Sequence, residues 1–244
     1  MKFPKDHDYF FLRIVVIILS SISCQAQQLS FQKLLDTTNL FYGSSPLLNL
    51  GTLYHPENAR AKGHPYFVTD DYTPASLSVS NTLFENIKAR YNIATDQLII
   101  KAALDSGVLV SMVTKEDFIN SFTINSHTFV NMTKLYPRST VVKGYCEEVF
   151  NGKHGFFIKY KKEFVRNFDF DNPNGFYSTV KTENYFYNNG EFMLIKSRRD
   201  FLKLFQNKRD IKKYMRDNKI KFSKASPAQL NKLMQFCDES SLSN

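Results

Sequence analysis

The chain has 244 residues, 43% of them hydrophobic, with 23 Phe, 13 Tyr and no Trp, and a formal net charge of +9. That apolar content supplies a real core and excludes a wholly disordered chain, and the length suits one generous domain or two small ones. Aromatic residues at this density suit a sheet-rich interior, because Phe and Tyr pack well on a pleated surface.

Residues 1–26 read as an export signal. Lys2, Lys5 and Arg13 make a basic start, residues 14–19 an apolar stretch, and small residues lead to Cys24-Gln25-Ala26. The apolar stretch is too short for a bilayer, which takes roughly 20 residues, and the small-residue ending favours cleavage after Ala26. Two alternatives stand beside this reading. One is an uncleaved anchor or a buried strand. The other is a lipoprotein held through Cys24, although Ser21 stands where such signals carry Leu or another aliphatic residue. Export places the protein in the periplasm or outside the cell, where disulfides persist. Cys146 and Cys237 then remain, either as a bridge closing a loop of about 90 residues or as two small core thiols.

Leu34, Leu35, Leu40, Phe41 and Tyr42 fit one short helix ended by Gly43-Ser44-Ser45-Pro46. Residues 51–74 hold Pro56, Gly63, Pro65 and Pro74, which argue for a long surface loop. His55 and His64, with Asp70 or Asp71, are candidate metal ligands there, although their nine-residue separation matches no familiar ligand spacing.

The sheet begins at residues 75–80, expected to be an edge strand. Residues 86–93 alternate strictly, Ile87, Ala89, Tyr91 and Ile93 against Asn86, Lys88, Arg90 and Asn92, as a strand with one buried and one wet face does. Strands at 97–104 and 108–114 follow across Asp105-Ser106-Gly107, and short turns of this kind make an antiparallel meander. Residues 115–119 suit one helical turn. Phe122, Ile124, Phe129 and Met132 carry the pattern through two short strands. Residues 141–150 and 156–160 form a hairpin over Asn151-Gly152, with Lys159, Lys161 and Lys162 on the wet side. Beyond the loop at Asn172-Pro173-Asn174-Gly175, a last hairpin pairs 182–187 with 191–195 across Asn189-Gly190. The fold class read from this is α+β: about eight antiparallel strands, curled or closed into a barrel, with C-terminal helices packed on them.

After Ile195 the period becomes helical. Ser197 with Asp200, Asn207 with Asp210, and Ser226-Pro227 with Gln229 mark three helix starts. Leu230, Leu233, Met234 and Cys237 form an apolar stripe on the third. Between residues 196 and 224 stand 12 Lys or Arg against three Asp, so this stretch carries the whole net charge of the chain. Lys208, Arg209, Lys212, Lys213 and Arg216 are therefore candidate ligand-binding residues for an anionic envelope ligand, a lipid headgroup or acidic glycan, or for a protein partner. The bland alternative is a solvated face. Nucleic acid is not an expected partner of an exported protein.

Motifs for nucleophilic, phosphoryl-transfer and zinc chemistry are missing, and no cofactor is expected. Glu147 and Glu148 are adjacent, so a strand points them to opposite faces. Asp169 and Asp171, with Asn172 and Asn174, offer oxygen ligands suited to calcium at a spacing unlike the EF-hand. His127 and His154 have no evident partner. The reading that results is an exported, non-catalytic β-rich envelope module that binds a ligand through its sheet or basic tail. A concave apolar face holding a lipid acyl chain is one form of it. A hydrolase of envelope glycan or peptide with its site in residues 51–74 is the alternative, and an assembly partner held by the strand at 75–80 a third.

An export signal, Gly43-Ser44-Ser45-Pro46-Leu47, Arg90-Tyr91-Asn92-Ile93 with Asp96, and Phe205 followed three residues later by Lys208 together resemble a group of uncharacterised exported bacterial proteins. The resemblance implies bacterial export and assigns no activity or site residue.

Overall fold

Asn86 to Asn92, the alternating stretch, is the second half of a strand that pairs on both sides. The structure, a computed structural model, describes residues 51–80, 82–103, 107–167 and 170–241. The export signal with Cys24, the expected helix near Leu34, the motif at 43–47 and Asp169 lie outside the described residues. By its Cα packing the chain divides into two units, Met1–Leu48 with Ala102–Val110 and Asn49–Lys101 with Ser111–Asn244. The sites discussed below belong to the second.

In chain order the strands are β1 (Gly51–Leu53), β2 (Thr73–Val79), β3 (Thr82–Asn92), β4 (Gln97–Ala103), β5 (Leu109–Thr114), β6 (Ile119–Ile124), β7 (His127–Asn131), β8 (Tyr145–Asn151), β9 (Gly155–Lys161), β10 (Phe164–Val165), β11 (Phe176–Tyr177), β12 (Lys181–Asn188) and β13 (Glu191–Ile195). Eleven of them form one sheet in the order β1-β5-β4-β3-β2-β6-β7-β8-β9-β12-β13, and β10 pairs with β11 separately. The sheet is larger than the eight strands expected, and its ladder is open, with β1 and β13 at its edges. Residues 75–80 are not an edge: β2 pairs with β3 on one side and β6 on the other, so its backbone offers no free ladder to a partner. The 3-10 turn Glu116–Phe118 falls where a helical turn was expected.

The sheet curls strongly. β3 and β9 stand five strands apart in sheet order, about 24 Å in a flat sheet at roughly 4.8 Å per strand. Yet the Lys162 amide donates to the Ile93 carbonyl at 3.4 Å, and the Lys159 ammonium meets Asp96 at 2.6 Å. Aromatic rings fill the inside of the curl: Phe129 packs on Tyr91 and Phe122 at centroid distances of 4.9 and 5.0 Å, and Phe122 on Tyr145 at 5.0 Å. The concave face expected for an acyl chain is thus occupied by the protein's own side chains.

Among the described residues four helices accompany the strands: α1 (Met132–Leu135) between β7 and β8, and α2 (Arg198–Lys203), α3 (Lys208–Asp217) and α4 (Pro227–Ser241) after β13. Ser197 caps α2 by accepting the Asp200 amide, and Ser226 with Gln229 makes a reciprocal capping box at α4. Asn207 makes no side-chain cap; its Nδ2 donates instead to Ser240 Oγ at 2.6 Å, tying α3 to the end of α4. The adjacent residues Phe156 and Phe157 divide the core. Phe156, with Val149, Ile158 and Phe186, packs under Phe201, Ile211, Met215, Leu233 and Met234 of the helices. Phe157 packs on the other face with Val130, Cys146, Tyr185 and Phe192. Cys146 and Cys237 belong to these two different clusters and are not bonded to each other. Burial pushes both thiols up to about 12.

The hairpin at Asn151-Gly152 departs from expectation. Asn151 still pairs with Gly155, so three residues, not two, make the turn. Gly152 is needed for space: a Cβ there would stand 2.6 Å from Asp238 Oδ2 of α4. That carboxylate accepts the Lys153 amide at 2.7 Å and meets His154 Nδ1 at 2.5 Å.

Asp96 joins three strands. It accepts the Tyr91 hydroxyl at 2.5 Å, the Tyr145 amide at 3.4 Å and the Lys159 ammonium at 2.6 Å. Lys159, read from sequence as wet, has a side chain only 13% exposed. Asp96→Ala leaves that ammonium without its carboxylate, and we expect a loss of about 3 kcal/mol in urea unfolding. Asp200→Ala, at an exposed pair on α2, is expected to cost about 1 kcal/mol or less.

Candidate functional site

The basic stretch folds into a groove between α2 and α3. Ile211 and Met215, four residues apart, bury one face of α3, which turns Lys208, Arg209, Lys212, Lys213 and Arg216 outward. They meet Arg198, Arg199 and Lys203 of α2 around two hollows of about 590 and 440 Å³ that share Arg198 and Lys212. All five residues singled out in the sequence therefore come together, and α2 adds three that were not. Lys203 meets Asp200 at 3.8 Å and Arg216 meets Asp217 at 3.4 Å. Among the described residues the other six make no ion pair. Leu202, buried, lines the larger hollow beneath them.

Residues 54–72 form the loop expected, between β1 and β2, but residues 65–67 within it are buried. Tyr66 bridges Asn92, the Phe67 amide donates to Tyr91 and the Ile93 amide to Pro65, so residues 65–67 lie against the end of β3. Phe67 enters the curl and packs on Phe129 and Tyr160. On the outer side Arg90, expected to be solvated, lies under Tyr66 and Tyr72 at 4.0 and 4.4 Å from the ring centroids and pairs with Asp70 at 3.2 Å. Lys162, also expected to be wet, donates to the carbonyls of His64 and Tyr66 at 2.8 and 3.1 Å. Burial lowers its pKa, and Asp70 offsets part of that.

The four candidate metal ligands do not assemble. His64 and Asp70 border one hollow of about 170 Å³ and His55 lines another of about 240 Å³. Asp71 accepts from the Thr69 hydroxyl beside it. No group of three or more His, Cys, Asp or Glu suited to an ion occurs among the described residues. His64 Nδ1 accepts the Tyr66 amide at 3.2 Å and lies 3.5 Å from the Lys162 ammonium, so this imidazole helps to hold the loop. Asp171 is exposed.

Sequence reasoning missed two histidine–carboxylate pairs because their partners are distant in the chain. His127 Nδ1 meets Glu147 at 2.6 Å, and Tyr160 donates to the same carboxylate at 2.5 Å. His154 pairs with Asp238. Glu147 is buried, and Glu148 is half-buried with its pKa raised by burial against the Asn151 hydrogen bond, so the two do sit in different surroundings. The three tyrosines around Arg90, Tyr54, Tyr66 and Tyr72, were also missed; all three fall in residues 51–74, which was the available signal. No helix among the described residues is long and apolar enough to cross a membrane.

Compared with protein-family models, curated proteins and solved structures, the chain matches none.

Burial, then the Lys162 ammonium, lowers the His64 pKa from 6.5, against an upward pull from Asp70. The folded state thus takes up this proton later than the unfolded chain. Its contribution to stability is full above pH 6.5 and is lost as pH falls through 6.5 toward the folded value. His64→Asn keeps an acceptor for the Tyr66 amide and does not titrate. Its urea midpoint is expected to fall less than that of the parent between pH 7.5 and 5.5.

Proposed function

We propose that this protein is an exported, non-catalytic module that binds an anionic ligand of the cell envelope, a lipid headgroup or an acidic glycan, in the groove between α2 and α3. One observation carries the reading: eight exposed cationic side chains line two hollows with shared walls, and six of them have no carboxylate partner among the described residues. Like charges held this close repel one another, so a ligand that supplies the missing anions relieves the strain of assembling them. Guanidinium forks at Arg198, Arg199, Arg209 and Arg216 suit the paired oxygens of phosphate or carboxylate, and the lysines add point charges. The buried Leu202 gives the groove an apolar floor, which fits a headgroup joined to carbon chains or a sugar ring better than a free inorganic ion.

The test is binding to phosphatidylglycerol vesicles, with phosphatidylcholine vesicles as the neutral control, alongside a polyuronate as the glycan arm. Each cation near an anionic surface is worth about 1 kcal/mol, so Lys212→Glu with Lys213→Glu is expected to weaken binding by well over tenfold. Binding is also expected to fall as salt rises. Unchanged adhesion of the double variant to both anionic probes would refute the proposal.

A further inference from the structure

Beside the seam of the curl lies a second cleft, independent of the basic groove. Its two hollows, about 170 and 240 Å³, share Tyr54 and Tyr177 as a common wall. Asn58, Tyr66 and Arg90 border the smaller; Thr52, Asn92 and Gln97 border the larger. We propose that this cleft binds a neutral oligosaccharide, one sugar ring in each hollow on either side of the tyrosine wall.

Three features carry this. The first is the kind of group present. A pyranose has apolar C–H faces and a rim of hydroxyls that both donate and accept; a tyrosine offers a flat apolar ring and a hydroxyl of the same dual character. The second is charge. Asp70 is paired with Arg90 on the smaller hollow, and Glu57 is the one Asp, Glu, Lys or Arg lining the larger, so neither hollow has the crowded like charges of the α2–α3 groove. A neutral ligand fits that balance better than an ion.

The third feature is a pair of side-chain amide donors on a preformed wall. Asn92 accepts the Ala94 and Thr95 amides through Oδ1, and Gln97 accepts the Thr95 hydroxyl through Oε1. Their amide nitrogens have no partner among the described residues. The walls are held in advance of binding: Lys162 grips the His64 and Tyr66 carbonyls, and the Tyr177 amide donates to Lys62 at 3.0 Å. A preformed site loses less freedom when it binds. Together the hollows reach the size range of small-molecule sites, roughly 300–1,000 Å³.

The chain has no Trp, so its emission comes from its 13 tyrosines, of which Tyr54, Tyr66 and Tyr177 line the cleft, and the Tyr177→Ala variant assigns the change to this wall. The experiment titrates the full chain with maltotriose, cellotriose and chitotriose up to about 10 mM, following tyrosine fluorescence and heat. We expect at least one trisaccharide to saturate the protein. Tyr177→Ala and, separately, Gln97→Ala are expected to weaken it at least tenfold with circular dichroism unchanged, and Lys212→Glu with Lys213→Glu to leave it as it was. Gln97→Ala removes no ring from the wall, so it keeps the test decisive should Tyr177→Ala unfold. The proposal is overturned if none of the three sugars binds, if the cleft variants bind as the parent does, or if only the helix variant loses binding.

Discussion

The seam where β3 meets β9 is the constraint on which the rest of the described structure depends. Five strand intervals separate these segments along the ladder, and side chains, a short loop and one backbone hydrogen bond from Lys162 to Ile93 hold them together. Asp96 contributes most, because its carboxylate answers Tyr91 on β3, the Tyr145 amide on β8 and Lys159 on β9. Gly144 makes room for it: the residue is left-handed at φ +71°, and a side chain there would overlap the Asp96 carboxylate. With the seam held, the rings of Tyr91, Phe122, Phe129 and Tyr145 face one another and exclude water; without it, the same residues would line an open trough.

Residues 64–67 complete the seam. Past Ala89, β2 no longer pairs with β3, and residues 65–67 take up the vacated backbone groups. Tyr66 and Phe67 then point to opposite sides, as alternation requires. Phe67 seals the aromatic interior, and Tyr66 covers Arg90. The tyrosine-walled cleft is thus a by-product of closing the curl: a loop held down by Lys162 leaves its remaining phenols and amides facing two hollows.

The other half of the sheet is organised by its helices. β8, β9 and β12 have both faces covered, and the helical side rests on Phe156, Phe186 and the stripe that includes Leu233 and Met234. Asp238 anchors α4 over the β8–β9 turn, and Asn207 links α3 to Ser240. These contacts fix the cationic faces of α2 and α3 beside each other. Repulsion among eight like charges is therefore opposed by apolar burial on the inner faces of the same helices, and the groove persists.

Local chemistry was legible wherever its period or its turn residues spoke for themselves. The alternation of β3, the left-handed pair Asn189-Gly190, the Ser197 and Ser226 caps and the Leu230–Cys237 stripe all follow from neighbours in the chain. So did the basic character of the groove, since its cations lie within a few turns of one another. Partners far apart in sequence were not legible. Arg90, Lys159 and Lys162 looked solvated because alternation predicts only which face a residue takes, not whether a later or earlier segment covers that face. His127 and His154 looked unpartnered because Glu147 and Asp238 reach them only after the sheet and α4 are in place. The chain's own pattern determined its strands, its helices and where its charge lies; long-range packing alone decided the curl, the seam and the two clefts, because a contact across many residues leaves no period in the sequence.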